Sequence, residues 1–479
     1  MKKNILYLNN VIGEAPIKAL TSYIKFKKLD NISFNVLYDE SLLNHINQII
    51  TLDKYANFTE HFWDSFFIES FLKDDRFNFD HIESDYEIVK DDFPFSVDFE
   101  AFYEHVRLAD ILIKKILQIN PDYLLHRLII GDRLYISYYI AFQVKKRNPN
   151  IKIIAGGEKD LKPTNYYNDL FRPVVDHLYF GFAEHLLEML NNDIELEKTN
   201  MNYAYTEDLW RSFNFTLTEP EIQNNKYFSI PNLKCTANCD FCSVFKKFDQ
   251  CFQYDDAALA ELTDFIMFMN TKHPGIKTHF VSSLAFKTSS NIEYFFKTLY
   301  DNGFHKAGNF NLSLLYIIGK QYYDNRELLN KFERNTFNCG IEHTNEKILR
   351  SMNKPISSKI AKELIIKPNN ITFAFIWNYF EESKEEFDEI ITFSKIIKKL
   401  KYHNPRYFQL QYSALGDVKE DERKHNITFV VPHIYKDFYG IDEDEFYFNY
   451  RNNLDPENVL MRYKRDKLEK LGFTEDGIV

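Results

Sequence analysis

The residues of this 479-residue chain best suited to chemistry are its five cysteines, Cys235, Cys239, Cys242, Cys251 and Cys339. Three of them crowd into Lys234-Cys235-Thr236-Ala237-Asn238-Cys239-Asp240-Phe241-Cys242. An odd number so distributed is not a disulfide framework. Steps of four and three residues let one tight loop aim three thiolates at a single point. Four thiolates close the shell of a structural zinc or a standard iron–sulfur cluster, whereas three leave a metal position open for a reacting ligand. The competing reading is a zinc loop whose fourth ligand is Cys251 or a histidine. Structural zinc sites usually pair two short Cys/His spacings, and no second C-x-x-C or H-x-x-x-H lies nearby.

The elements that must hold this loop follow from the hydrophobic pattern. Residues 226–230 are aromatic and β-branched and end at Pro231, which predicts a strand running into the loop. Beyond it, helix-like segments at 255–269, 292–302, 346–352 and 384–400 alternate with strand-like ones at 277–281, 309–318, 337–342, 371–377 and 407–412. Such alternation predicts parallel pairing in an α/β fold. The region before the loop repeats the theme: strands at 4–9, 32–38, 122–130, 151–157 and 175–181, with helices at 16–28, 102–119 and 136–146. This predicts a doubly wound parallel sheet over 1–191, interrupted at about 41–100 by an acidic, aromatic insertion expected to be mostly helical. Residues 192–225, polar and without period, read as a linker to a domain over 226–424. An extension over 425–479 reads as a cap.

Composition excludes several classes. The chain carries 59 basic and 70 acidic residues, a net charge of −11, so it has no global electrostatic reason to hold a phosphate backbone, and nucleic acid is not expected as a partner. No apolar run is long enough for a membrane span, and the short basic-then-apolar start lacks a cleavage site. A cytoplasmic protein is expected.

C-x-x-x-C-x-x-C with an aromatic before the last cysteine resembles the signature of the radical S-adenosylmethionine (SAM) enzymes. The resemblance implies a 4Fe-4S cluster on Cys235, Cys239 and Cys242, with SAM chelated at the open iron and Phe241 near its adenine. It implies a partial (β/α)6 barrel over 226–424. Reductive cleavage of SAM would then yield a 5′-deoxyadenosyl radical that takes hydrogen from an unactivated carbon, with flavodoxin or ferredoxin as electron donor. Gly340-Ile341-Glu342 followed by Leu349 and Met352-Asn353-Lys354 resembles the family's fourth strand and helix, which gives Glu342 a role towards SAM or substrate. Ser282 and Ser283 stand where relatives carry a G-G-E element for the SAM amino group. The family's G-x-P-x-E-T turn falls on 375–383, without its glycine and proline. Strand alternation from Glu342 sends Cys339 towards the outer helices, as a small buried hydrophobe.

The first domain, with Gly156-Gly157 ending one strand and Gly181 and Glu184 after another, resembles the cobalamin-binding-type domain of one radical SAM class. That resemblance implies cobalamin admitted at Gly156 and Gly157, unless those glycines merely turn the chain. The cobalt-ligating Asp-x-His-x-x-Gly is absent. With cobalamin the implied outcome is methyl transfer. Without it, the implied outcome is epimerisation or cross-linking of a peptide. A non-enzymatic metal-binding scaffold is the alternative from another class. The substrate, a small molecule or a peptide, has no signature in the sequence.

Overall fold

The computed structural model describes residues 2–9, 15–38, 50–52, 80–90, 95–127, 134–157, 171–202, 208–209, 212, 227–230, 239–241, 256–272, 277–280, 288–305, 315–316, 319–332, 337–367, 371–399, 406–409, 423–430, 449–457, 459–472 and 475–478. They fall into two compact units, Met1–Ala204 with Thr428–Arg451, and Tyr205–Ile427 with Asn452–Val479. The division lies inside the segment expected as a linker, and the expected extension is shared between the units.

The first unit runs β1 (Lys3–Asn9), α1 (Ala15–Lys27), β2 (Ile32–Tyr38), β3 (Ile50–Leu52), α2 (Asp80–Val89), β4 (Phe95–Val97), α3 (Phe99–Ile119), β5 (Tyr123–Arg127), α4 (Leu134–Arg147), β6 (Lys152–Gly157), β7 (His177–Gly181), α5 (Ala183–Asn191) and β8 (Thr199–Asn202). Its sheet has the order β2-β1-β5-β6-β7-β8, parallel throughout, the doubly wound arrangement the alternation called for. Helix α3 shows why the sequence folds this way. Asp98 caps it by accepting from the Ala101 amide (3.0 Å), Asn120 ends it in the left-handed region, and Phe102, Val106, Ala109, Ile113 and Ile116 form one buried stripe. The insertion contributes α2 and an antiparallel pair, Ile50 opposite Val97, so it is not purely helical. Strand β8 lies in the expected linker. Its sequence Thr-Asn-Met-Asn has no apolar period, and pairing with β7 makes it a strand.

The second unit runs β9 (Tyr227–Ile230), α6 (Asp256–Lys272), β10 (Lys277–Phe280), α7 (Ser289–Asp301), β11 (Leu315–Tyr316), α8 (Gly319–Leu329), β12 (Phe337–Glu342), α9 (Glu346–Ser351), α10 (Ser358–Ile366), β13 (Ile371–Trp377), α11 (Lys384–Lys399) and β14 (Arg406–Gln409); after β15 (Ile427–Val430) and β16 (Asn449–Asn452), which lie mostly in the first unit, it resumes with α12 (Val459–Lys470) and β17 (Glu475–Ile478). β9 pairs with β10, and β11-β12-β13-β14-β17 form a second sheet, all parallel. Every residue of β13 is buried, as expected of a parallel strand covered on both faces. The expected cap thus ends in β17, a strand added to that sheet beside β14. Helices α8 and α10 went unread in the sequence: α8 (GKQYYDNRELL) is too polar to show an apolar period. No described helix is long and apolar enough to cross a membrane.

Candidate functional site

The site is built around the carboxyl end of β12, where barrel-type sheets carry their chemistry. Between Gly340 and Glu342 the register against β13 slips: Gly340 pairs with Ala374 and Glu342 with Phe375, so Ile341 is an extra residue. Glu342 leaves this bulge with φ +65°, a left-handed conformation uncommon for a non-glycine residue. Its carboxylate is buried and accepts from Lys354 Nζ at 2.8 Å. Each side chain of that pair is only 10% exposed.

Lys354 reaches this point because of how α9 ends. The Lys354 amide donates to the Leu349 carbonyl (2.9 Å) and the Asn353 amide to that of Arg350 (3.0 Å), with Asn353 at φ +51°. This is the six-to-one and five-to-two pattern of a Schellman turn, with asparagine in the left-handed position and Pro355 stopping the helix. The turn points Lys354 back at the strand end. Gly340 leaves room for the pair, since a Cβ there would lie 2.1 Å from Glu342 Oε1 and 3.1 Å from Lys354 Nζ.

The cysteine loop meets this pair. The Asp240 amide donates to the Met352 carbonyl (3.0 Å), and the Asp240 carboxylate forms an ion pair with Lys424. Lys354 Nζ stands 5.5 Å from the centroid of the Phe241 ring. Burial pulls the Lys354 ammonium down, but Glu342 and then the neighbouring Cys239 outweigh it, and the net shift is upward. Cys239 itself is 4% exposed. A metal-ligating cysteine must be a thiolate, and a neighbouring ammonium is the charge that complements one, so this position fits a cluster ligand. Cys235 and Cys242, the other two expected ligands, lie outside the described residues, as do Ser282, Ser283 and Cys251. Cys239, Phe241 and Glu342 are therefore brought together. Cys339 is fully buried beside α8, with Sγ 3.5 Å from where a Gly319 Cβ would stand, and burial pushes its thiol up to about 12. It is a core residue.

The turn after β13 forms a second anchored strand end. Asn378 has φ +62°, so the residue at the place of the glycine in the expected G-x-P-x-E-T turn adopts the backbone a glycine would favour. Glu382 accepts from the Asn378 amide (2.9 Å). It also faces His343 Nε2 (3.1 Å) and Lys464 Nζ (2.6 Å), the last from α12. His343 Nδ1 accepts from the Asn345 amide (2.8 Å), which leaves Nε2 to donate. Burial raises the Glu382 carboxyl, but Lys464 and His343 outweigh it and the net shift is downward. Lys354 falls within the M-x-K pattern and Glu382 within the 375–383 turn, but nothing in the sequence gives either of them, or His343 or Lys464, a place in this arrangement.

In the first unit, a Cβ on Gly156 would lie 1.7 Å from the Tyr179 carbonyl oxygen, so the glycine is required by the approach of β7. Gly157 closes β6 after it.

No family model matches this sequence, and no curated protein does. The fold is nevertheless similar to that of a solved cobalamin-dependent radical SAM enzyme. The solved enzyme OxsB with aqua-cobalamin and SAM bound aligns with a TM-score of 0.55 and 12% identity, over 98% of this chain and 67% of that one. Its apo, selenomethionine-labelled form aligns at 0.52 and 11%, over 98% and 66%. The aqua-cobalamin form aligns at 0.49 and 12%, over 82% and 52%. This chain thus spans between half and two thirds of the OxsB chain.

Proposed function

We propose that this protein is a radical SAM enzyme, with Cys235, Cys239 and Cys242 as ligands of a 4Fe-4S cluster. The observation that carries the reading is the meeting of Cys239 and Phe241 with the buried Glu342–Lys354 pair at the end of β12. A cluster with SAM supplies hydrogen-atom abstraction from an unactivated carbon. The chain's own residues would do the holding. Lys354 sets the charge beside Cys239, Glu342 and Lys354 offer a carboxylate and an ammonium matched to the amino and carboxylate groups of SAM, and Phe241 offers a ring face. Cobalamin in the first unit makes the outcome methyl transfer, to a small molecule or a peptide, with flavodoxin or ferredoxin as electron source in the cytoplasm. The test is anaerobic incubation with SAM and dithionite. 5′-Deoxyadenosine is expected from the native chain and none from the triple Cys→Ala variant; its absence from both refutes the reading.

One observation favours a cobalamin-free enzyme that epimerises or cross-links a peptide: the sheet alone accounts for Gly156. Visible spectra after cobalamin supplementation separate the two, since methyl transfer requires a corrinoid band.

A further inference from the structure

The strand order of the first unit changes direction between β1 and β5: the chain leaves β1 towards β2, then returns to lay β5 on the other flank. In open parallel sheets, ligands sit outside the carboxyl ends at this switch. His126, next to last in β5, pairs with Leu8 of β1 on one side and Ala155 of β6 on the other. It is 3% exposed, and neither ring nitrogen has a hydrogen-bond partner among the described residues. Strand alternation puts it on the face of Leu124, which belongs to the core shared with α3 and α4. Ser137, in the first turn of α4, the helix that follows β5, is also fully buried, and its Oγ has no partner among the described residues. Buried polar groups are nearly always satisfied, and exceptions call for an explanation. Two in one strand–helix unit, with the strand flanking the switch point, share one explanation: their partner is a ligand.

We propose that His126 is a ligand contact of the first unit, hydrogen-bonding cobalamin seated at the β1–β5 switch, with Ser137 beside it. The inference rests on the corrinoid reading above and names the residue that reads the corrinoid. Burial takes the His126 imidazole down to about 4, so at neutral pH one ring nitrogen donates and the other accepts. The amide side chains around a corrin ring offer both complements.

The test titrates aquocobalamin anaerobically into the full chain, followed by visible absorbance, for wild type, His126→Leu and His126→Gln. Melting of the cobalamin-free proteins is measured alongside. The expected result is binding by wild type, affinity weakened about tenfold to hundredfold in His126→Leu, and most affinity kept in His126→Gln, which retains a donor and an acceptor. Cobalamin-free His126→Leu should melt at or above the wild-type temperature, because two unpaired buried nitrogens are gone. Equal binding by wild type and His126→Leu overturns the inference and leaves the corrinoid reading standing. No binding by wild type overturns both. A lowered melting temperature of free His126→Leu together with lost binding makes His126 structural and overturns the inference.

Discussion

Replacing Lys464 with methionine removes one charge from a wholly buried pair while keeping most of the stem's volume. The Lys464 ammonium lies 2.6 Å from Glu382 Oε2, with side-chain exposures of 1% and 0%. It also donates to the Glu382 carbonyl at 2.9 Å. Breaking a buried ion pair from one side costs about 3–5 kcal/mol, because the remaining charge stays desolvated. Glu382 keeps His343 and the Asn378 amide, which places the expected loss near the lower end, about 3 kcal/mol. At about 2–4 °C per kcal/mol for a domain of this size, the melting midpoint should fall by roughly 6–12 °C. The pH dependence follows from the depressed Glu382 carboxyl. Its contribution is fully present above the ordinary carboxylate range and is lost as pH falls through the folded-state value. The gap between wild type and Lys464→Met, measured by thermal denaturation, should therefore narrow at acid pH. A gap below about 1 kcal/mol at neutral pH, or one that stays constant into acid, refutes the assignment of the pair as an anchor of the turn after β13.

Gly340→Ala puts a Cβ 2.1 Å from Glu342 Oε1, so the carboxylate must move off Lys354. SAM affinity by equilibrium dialysis should fall about tenfold, with at most about 1–3 kcal/mol of destabilisation; wild-type affinity would contradict a SAM-facing pair. Asn378 sits at φ +62°, so Asn378→Gly should be tolerated while Asn378→Ala loses about 1 kcal/mol, read from chemical denaturation midpoints. His126, held down to about 4 from 6.5 by burial, binds its proton later in the folded chain than in the unfolded one. As pH falls from 6.5 towards 4 the unfolded chain takes up a proton that the folded one does not, so stability declines by about 3 kcal/mol over that interval. His126→Leu should flatten the acid limb of the stability curve over that interval.

How much of this was legible depended on the range of the interaction. The thiolate spacing is local, and so are the strand–helix alternation and the glycine pair at 156–157, all of which can be read along the chain. The place of Glu342 at the end of a strand was legible through the G-x-E resemblance. Lys354 was visible as a letter of a pattern, but its reach towards Glu342 depends on a left-handed Asn353 and on a vacancy at Gly340, neither of which hydrophobic periodicity encodes. Lys464 sits among other basic residues of a polar helix, and nothing in that composition marks it as the one buried against Glu382. His126 was invisible for the opposite reason: a lone histidine in an apolar strand usually finds a partner, and only the folded structure shows that this one has none among the described residues.

Glu342 and Asn378 occupy matching places, each at the point where a central strand, β12 or β13, leaves the sheet, and each in the left-handed region. Backbone held there in a residue with a side chain costs about 1–3 kcal/mol and persists only where surrounding contacts over-determine it. Here the determinant in both cases is a buried carboxylate–ammonium pair, Glu342 with Lys354 and Glu382 with Lys464. Lys354 arrives from the end of the next helix, but Lys464 arrives from the last helix of the chain. Asn452 Nδ2, donating to the Phe380 carbonyl at 2.8 Å, ties the same C-terminal segment to the same turn. Helix α12 therefore belongs to the support of the strand ends where the site lies, which accounts for the place of Asn452–Val479 in the second unit. A truncation before α12 would strip the cation from Glu382 and free Asn378 to relax, so it should disturb the site even though no residue of α12 is expected to touch SAM.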